Sequence, residues 1–165
     1  MTAYWNIPRS DISTKIKSVV DLNQVVRRVI DLVAPLPRLK ISIIDDLPEV
    51  RGNTARLQQI FQNLIGNAVK HIDKPEGEVA IWYSRAGEFW QFSVVDNGGG
   101  IERHQFERVF QIFQTLAPPG KSEGTGIGLT VVKKIVEKYV GKIWVESEVG
   151  RGSTFFFTLP GDLGR

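Results

Sequence analysis

Between residues 22 and 33 the apolar side chains Leu22, Val25, Val26, Val29, Ile30 and Val33 recur at intervals of three and four, the spacing of one helix face. Asp21 is placed to cap that helix, and Pro35 and Pro37 stop it. Leu39-Lys40-Ile41-Ser42-Ile43 then alternates as a strand does. A longer helical pattern runs over residues 54–72, with Thr54 as candidate N-cap and Pro75 and Gly77 punctuating its end. Strands are predicted over residues 78–84 and 89–95, joined by the hairpin loop Arg85-Ala86-Gly87-Glu88. Residues 105–113 read as a short helix and 117–122 as a loop. Helix resumes over 126–139, where Gly141 closes it. Strands over 142–147 and 154–159 finish the pattern, around the turn Val149-Gly150-Arg151-Gly152.

Helices and strands are mixed here without regular alternation, which argues for a two-layer α+β sandwich rather than a doubly wound parallel sheet. Residues 1–18 hold no sustained period and read as a linker or edge segment. The domain proper is expected over 19–160, with 161–165 a tail. An apolar share of 42% in 165 residues is enough for one real core. No apolar run is long enough to cross a bilayer and no export signal opens the chain, so a cytoplasmic place without membrane contact is expected. Cysteine is absent, which excludes disulfides, thiolate metal sites and thiol nucleophiles. The net charge of +3 is scattered among acids rather than gathered in a stripe, so nucleic acid is not an expected partner.

On the second helix Leu57, Ile60, Phe61, Leu64, Ile65, Ala68 and Ile72 make a broad apolar face. Asn63, Asn67 and Lys70 fall together on another, with His71 at the border. Asparagine is a mediocre helix former, and two in mid-helix break local consistency in the way functional sites do. A side-chain amide oxygen suits a hard cation such as Mg²⁺ that bridges to phosphates, and Lys70 suits a phosphate. A plain solvated helix face is the competing reading for each residue taken singly.

Two glycine clusters shift that balance. Asp96-Asn97-Gly98-Gly99-Gly100-Ile101 follows the apolar run Phe92-Ser93-Val94-Val95. A carboxylate at the end of a buried strand accepts from an exocyclic amine, which selects adenine, and Gly98 and Gly100 let the backbone turn close to the base. An ordinary Asp/Asn-Gly hairpin turn accounts for the same residues equally well. Gly124-Thr125-Gly126-Ile127-Gly128-Leu129 opens a helix, where backbone N–H groups form an anion site. A dinucleotide-binding turn would need a preceding strand, and a loop stands there instead. A Walker-type loop is excluded because no Gly-Lys-Ser/Thr ends the run.

Taken together, residues 57–71, Asp96 to Ile101, residues 106–113 and Gly124 to Leu129 resemble the N box, first glycine box, F box and second glycine box of bacterial sensor histidine kinases. The closing Gly150-Arg151-Gly152-Ser153-Thr154-Phe155-Phe156-Phe157-Thr158-Leu159-Pro160 is similar to that family's last strand. The resemblance covers residues 20–160. It implies the catalytic, ATP-binding domain of the Bergerat type, a mixed and mostly antiparallel sheet of about five strands with three helices on one face. ATP and Mg²⁺ would lie between the helices and a lid.

Residue by residue, Asn67 matches the metal-coordinating Asn, Asn63 its partner one turn earlier, and Lys70 a phosphate-contacting base. His71 stands where the family often has an aromatic beside the adenine. Asp96 matches the adenine-reading acid, flanked by Gly98, Gly100 and Ile101, and Thr154 is expected to assist through a water. Phe110 and Phe113 match the F box and residues 115–123 the lid, from which Lys121 would reach a phosphate. Gly124, Thr125, Gly126, Ile127, Gly128 and Leu129 match the second glycine box.

The phosphoacceptor sequence of the family, a His followed by an acid and a Pro on a dimerisation helix, has no counterpart around His71 or His104. The chain is therefore expected to be a catalytic domain, monomeric by itself, that acts on a histidine carried by a dimerisation domain, with a response regulator downstream. Hydrolysing relatives in the wider superfamily place an acid four residues before the metal Asn. Asn63 occupies that position, and an amide is no base. ATP hydrolysis is therefore expected to be slow and the γ-phosphate reserved for transfer. The alternatives are an anti-sigma-type serine kinase and a nucleotide-sensing module without transfer.

Overall fold

The computed structural model describes residues 18–33, 37–111 and 128–161. Its main sheet has five strands, β2 (Leu39–Ile43), β4 (Gly77–Ala86), β5 (Phe89–Asp96), β7 (Gly152–Pro160) and β6 (Ile143–Glu148), in the order β2-β4-β5-β7-β6. β2 and β4 run parallel, and every other neighbouring pair is antiparallel. The parallel pair needs a crossover, and helix α2 (Thr54–His71) supplies it. This is the mixed, mostly antiparallel sheet expected. A second, two-stranded sheet pairs β1 (Val19–Asp21) with β3 (Glu49–Arg51) and was not foreseen. Three-residue strands carry too little alternation to stand out in a sequence.

Helix α1 (Leu22–Val33) has the expected bounds, and Asp21 caps it by accepting from the Asn23 N–H at 2.9 Å. The Asn23 amide in turn bonds both the N–H and the C=O of Leu47, fixing α1 to the segment between β2 and β3. The cap of α2 differs from expectation. It is Asn53, whose side chain accepts from the Arg56 N–H, and Thr54 is the first helical residue. Both are good capping types, and Asn53 takes the role with extended backbone at φ −100°.

The core lies between the sheet and α2. Phe61 meets Phe92 edge-on at 5.9 Å and Phe157 at 5.4 Å, while Phe92 and Phe157 stack at 5.0 Å. All three rings are fully buried, and truncation of such a ring usually costs about 3–5 kcal/mol. The residues expected over 105–113 as one helix instead form two 3₁₀ turns, Arg103–Gln105 and Arg108–Phe110, within the described part. Neither has a side-chain cap, and a run this short cannot offset the cost of nucleating an α-helix. Packing fixes it instead, with Val109 buried and Phe110 edge-on to Phe155 at 6.0 Å.

Helix α3 (Gly128–Lys138) ends one residue earlier than its glycine implied. The left-handed residue is Val140, at φ 63°, and not Gly141. Val140 N–H bonds Glu137 C=O and Gly141 N–H bonds Val136 C=O, the two closing bonds of a Schellman cap. Gly141 is needed for a different reason, because a Cβ there would collide with the Thr158 carbonyl. A β-branched residue in this conformation is strained, and Val140 is 75% exposed, so its side chain contributes little packing in return. Val140→Gly is expected to stabilise the domain by about 1 kcal/mol, read as a higher urea midpoint with unchanged slope.

Candidate nucleotide site

Five asparagines lie in the described residues, and the structure divides them sharply. Asn23 and Asn53 hold the backbone as above. Asn97 accepts from the Glu78 N–H at 2.9 Å and donates to the Glu76 C=O at 3.1 Å. Asn63 and Asn67, one turn apart on α2, are half-buried, and among the described residues neither side-chain amide has a hydrogen-bond partner. Two poor helix formers in mid-helix, with no side-chain bond among the described residues, suit a ligand-binding role. Lys70 continues the same stripe and is exposed.

Asp96 closes β5 with its side chain on the helix-facing side of the sheet, 8% exposed. It accepts the Gly98 N–H at 2.8 Å and the Ser153 N–H. Burial raises its pKa above the usual 3.8, opposed by those two N–H groups and by the nearby positive charges of His71 and Lys74. Gly98 has no room for a side chain, since a Cβ would lie 2.8 Å from the His71 carbonyl oxygen and 2.9 Å from Asp96 Oδ1. Gly100, at φ 82°, would drive a Cβ into the Glu148 carbonyl. Ile101 is anchored by its N–H to Ser147 Oγ at 2.7 Å.

His71 Nδ1 lies 2.8 Å from the Asn67 carbonyl. A carbonyl only accepts, so Nδ1 carries the proton, and Nε2 is left for other contacts. On the other wall α3 begins at Gly128, where a Cβ would stand 3.8 Å from the Asn63 amide. Thr130 Oγ1 donates to the Phe110 carbonyl at 2.8 Å, joining the start of α3 to the F-box turn. Leu129 is half-buried against the core. Short contacts thus link Asp96 and Gly98 to His71, His71 to Asn67, and the start of α3 to Asn63. Phe113, Lys121, Gly124, Thr125, Gly126 and Ile127 lie outside the described residues.

The expectation for Thr154 does not hold. Register pairs Asp96 with Ser153 and Val95 with Thr154, and successive strand residues face opposite sides. Thr154 therefore faces away from the helices, and Ser153 is the residue beside Asp96. Ser153 is buried, with its Oγ 2.8 Å from Ser147 Oγ. Since Ser147 Oγ itself donates to the Gly152 carbonyl, Ser153 is the donor of that pair, which leaves its oxygen able to accept. Ser153 shares parity with Phe155, Phe157 and Leu159, the buried positions of the strand, while Phe156 on the other parity blurs that alternation in the sequence.

Among the described residues no group of three or more His, Asp or Glu side chains gathers as a metal site.

Comparison with known proteins identifies the family. Residues 52–163 match the family described as histidine kinase-, DNA gyrase B-, and HSP90-like ATPase. The chain is 44% identical over 117 residues to phytochrome-like protein Cph1 of Synechocystis, covering 71% of this chain and 16% of that protein. It is 36% identical over 151 residues to sensor histidine kinase ZraS of Escherichia coli, covering 88% of this chain and 31% of that protein. Full-length ShkA in complex with AMPPNP superposes with a TM-score of 0.73 at 30% identity, over 87% of this chain and 30% of that one. The chain thus spans less than a third of the length of each of these relatives. On these matches, the chain belongs to the histidine kinase-, DNA gyrase B-, and HSP90-like ATPase family, as the ATP-binding catalytic domain that sensor histidine kinases carry.

Proposed function

We propose that this domain binds ATP with Mg²⁺ and transfers the γ-phosphate to a histidine on a dimerisation domain, from which a response regulator takes it, in the cytoplasm. The observation that carries the reading is the pair of α2 amides without a hydrogen-bond partner among the described residues, together with the buried carboxylate of Asp96 at the end of β5. In this reading Asp96 accepts the exocyclic amine of adenine, with Ser153 beside it. Lys70 and the start of α3 meet the phosphates. Asn67 holds Mg²⁺, which neutralises phosphate charge when bound. Asn63 orients without acting as a base, so water is a poor competitor for the acceptor imidazole. The structure solved for ShkA contains an ATP analogue, which supports a triphosphate as ligand. No described helix is long and apolar enough to cross a membrane.

The test mixes the chain with a separate His-bearing dimerisation domain and γ-labelled ATP. Acid-labile label on that domain is the expected result. Acid-stable label on a protein serine would favour the anti-sigma type of kinase. Nucleotide binding with no transfer to either would reduce the chain to a sensing module.

A further inference from the structure

The segment between α2 and β4 carries a residue that the motifs leave out. Lys74 is half-buried, and its ammonium donates to the Gly150 carbonyl at 3.1 Å. Its own carbonyl accepts from Arg38 Nη1 at 2.8 Å, so the lysine backbone is anchored from β2's side. Gly150, the left-handed residue of the β6–β7 turn at φ 87°, donates its N–H to the Gly99 carbonyl at 2.8 Å. Both backbone polar groups of Gly150 are therefore held, one by the first glycine cluster and the other by Lys74. Three residues beyond Gly150, at the start of β7, Ser153 presents its N–H to Asp96.

We propose that Lys74 is a positioning residue for adenine recognition, a strap that pins the β6–β7 turn so that Ser153 and Asp96 keep the geometry that meets the base amine. The proposal rests on the reading of Asp96 as the base-recognising acid. The Lys74 charge also favours the ionised form of Asp96, the form that accepts. Without the bond from Lys74, the Gly150 carbonyl would lose its tie to the α2–β4 segment.

The experiment compares ADP with inosine diphosphate, in which a 6-oxo acceptor and an N1–H replace the 6-amino donor and the N1 acceptor, by titration calorimetry on the full chain. Lys74→Met is expected to weaken ADP about fivefold while leaving inosine diphosphate within about twofold, so that discrimination between the two shrinks. Lys74→Arg is expected to restore most of it. Lys74→Gln, polar but uncharged, is measured alongside and decides the matter should the Met variant not fold. Equal losses for both nucleotides, an unchanged ADP affinity, or no rescue by Arg would each overturn the proposal. Failure of the underlying reading looks different: Asp96→Asn would then bind ADP as well as the wild type does.

Discussion

Asp96→Asn is expected to weaken ADP at least about 30-fold by calorimetry, roughly 2 kcal/mol, while the protein stays folded. The carboxylate is 8% exposed and already accepts two backbone N–H groups. It offers further lone pairs to an incoming amine, because a carboxylate is an acceptor on both oxygens. An asparagine offers one acceptor oxygen and turns an NH₂ toward the same donors, so a donor meets a donor in a dry site. Sites that hydrogen-bond a substrate amine lose heavily when the pairing is broken, because buried polar groups are then left unpaired. Unchanged ADP affinity would remove Asp96 from the pocket.

The pH dependence has a definite sign. Burial raises the pKa of Asp96 above 3.8, so acidification protonates it sooner than an exposed carboxylate, and ADP affinity should start to fall at a correspondingly higher pH. Folding stability runs the other way. A raised native pKa means the folded state holds the proton more tightly, so this group's stabilising contribution is present below 3.8 and is lost as pH rises through the raised value. Ionised Asp96 is thus a cost to the empty domain that the nucleotide amine offsets. Calorimetry across the acid range, with Asp96→Asn as the control lacking this titration, checks both directions.

Much of this arrangement could be read from the chain because the apolar periodicities are long. α1 and β2 have the expected bounds, and α2 keeps its broad core face with Phe61 at the centre. What escaped were features decided by one residue or by tertiary contact. Asn53 and Thr54 are both competent caps, and only the backbone shows which one turns. The helix-ending glycine misled because Gly141 is required by the Thr158 carbonyl rather than by a left-handed φ. Motif position points to Thr154, whereas the pleat of β7 turns Ser153 to the side of Asp96. Lys74 could not have been found, because its partner Gly150 lies 76 residues away on another turn. The asparagines are legible as oddities, but only the fold shows that Asn97 holds backbone groups while, among the described residues, Asn63 and Asn67 make no side-chain bond.

Asn67→Ala should abolish the Mg²⁺ dependence of ATP binding and lower phosphotransfer roughly 100-fold or more, with ADP affinity in the absence of Mg²⁺ nearly unchanged. The asymmetry follows from where the residue sits. Asn67 lies on α2 a turn before His71 while Asp96 closes β5, so the two residues are assigned to different parts of the nucleotide. Phosphoryl transfer depends on the Asn67 amide, because the protein contributes mainly position and charge neutralisation to a reaction with little covalent chemistry of its own. The substitution costs the fold little: the Asn67 side chain makes no hydrogen bond among the described residues, and alanine is the better helix former by about half a kcal/mol. A melting temperature equal to or above that of the wild type, combined with lost Mg²⁺ dependence, would mark Asn67 as spent on the ligand and not on the structure. Intact Mg²⁺ dependence would return the mid-helix asparagines to a solvated face.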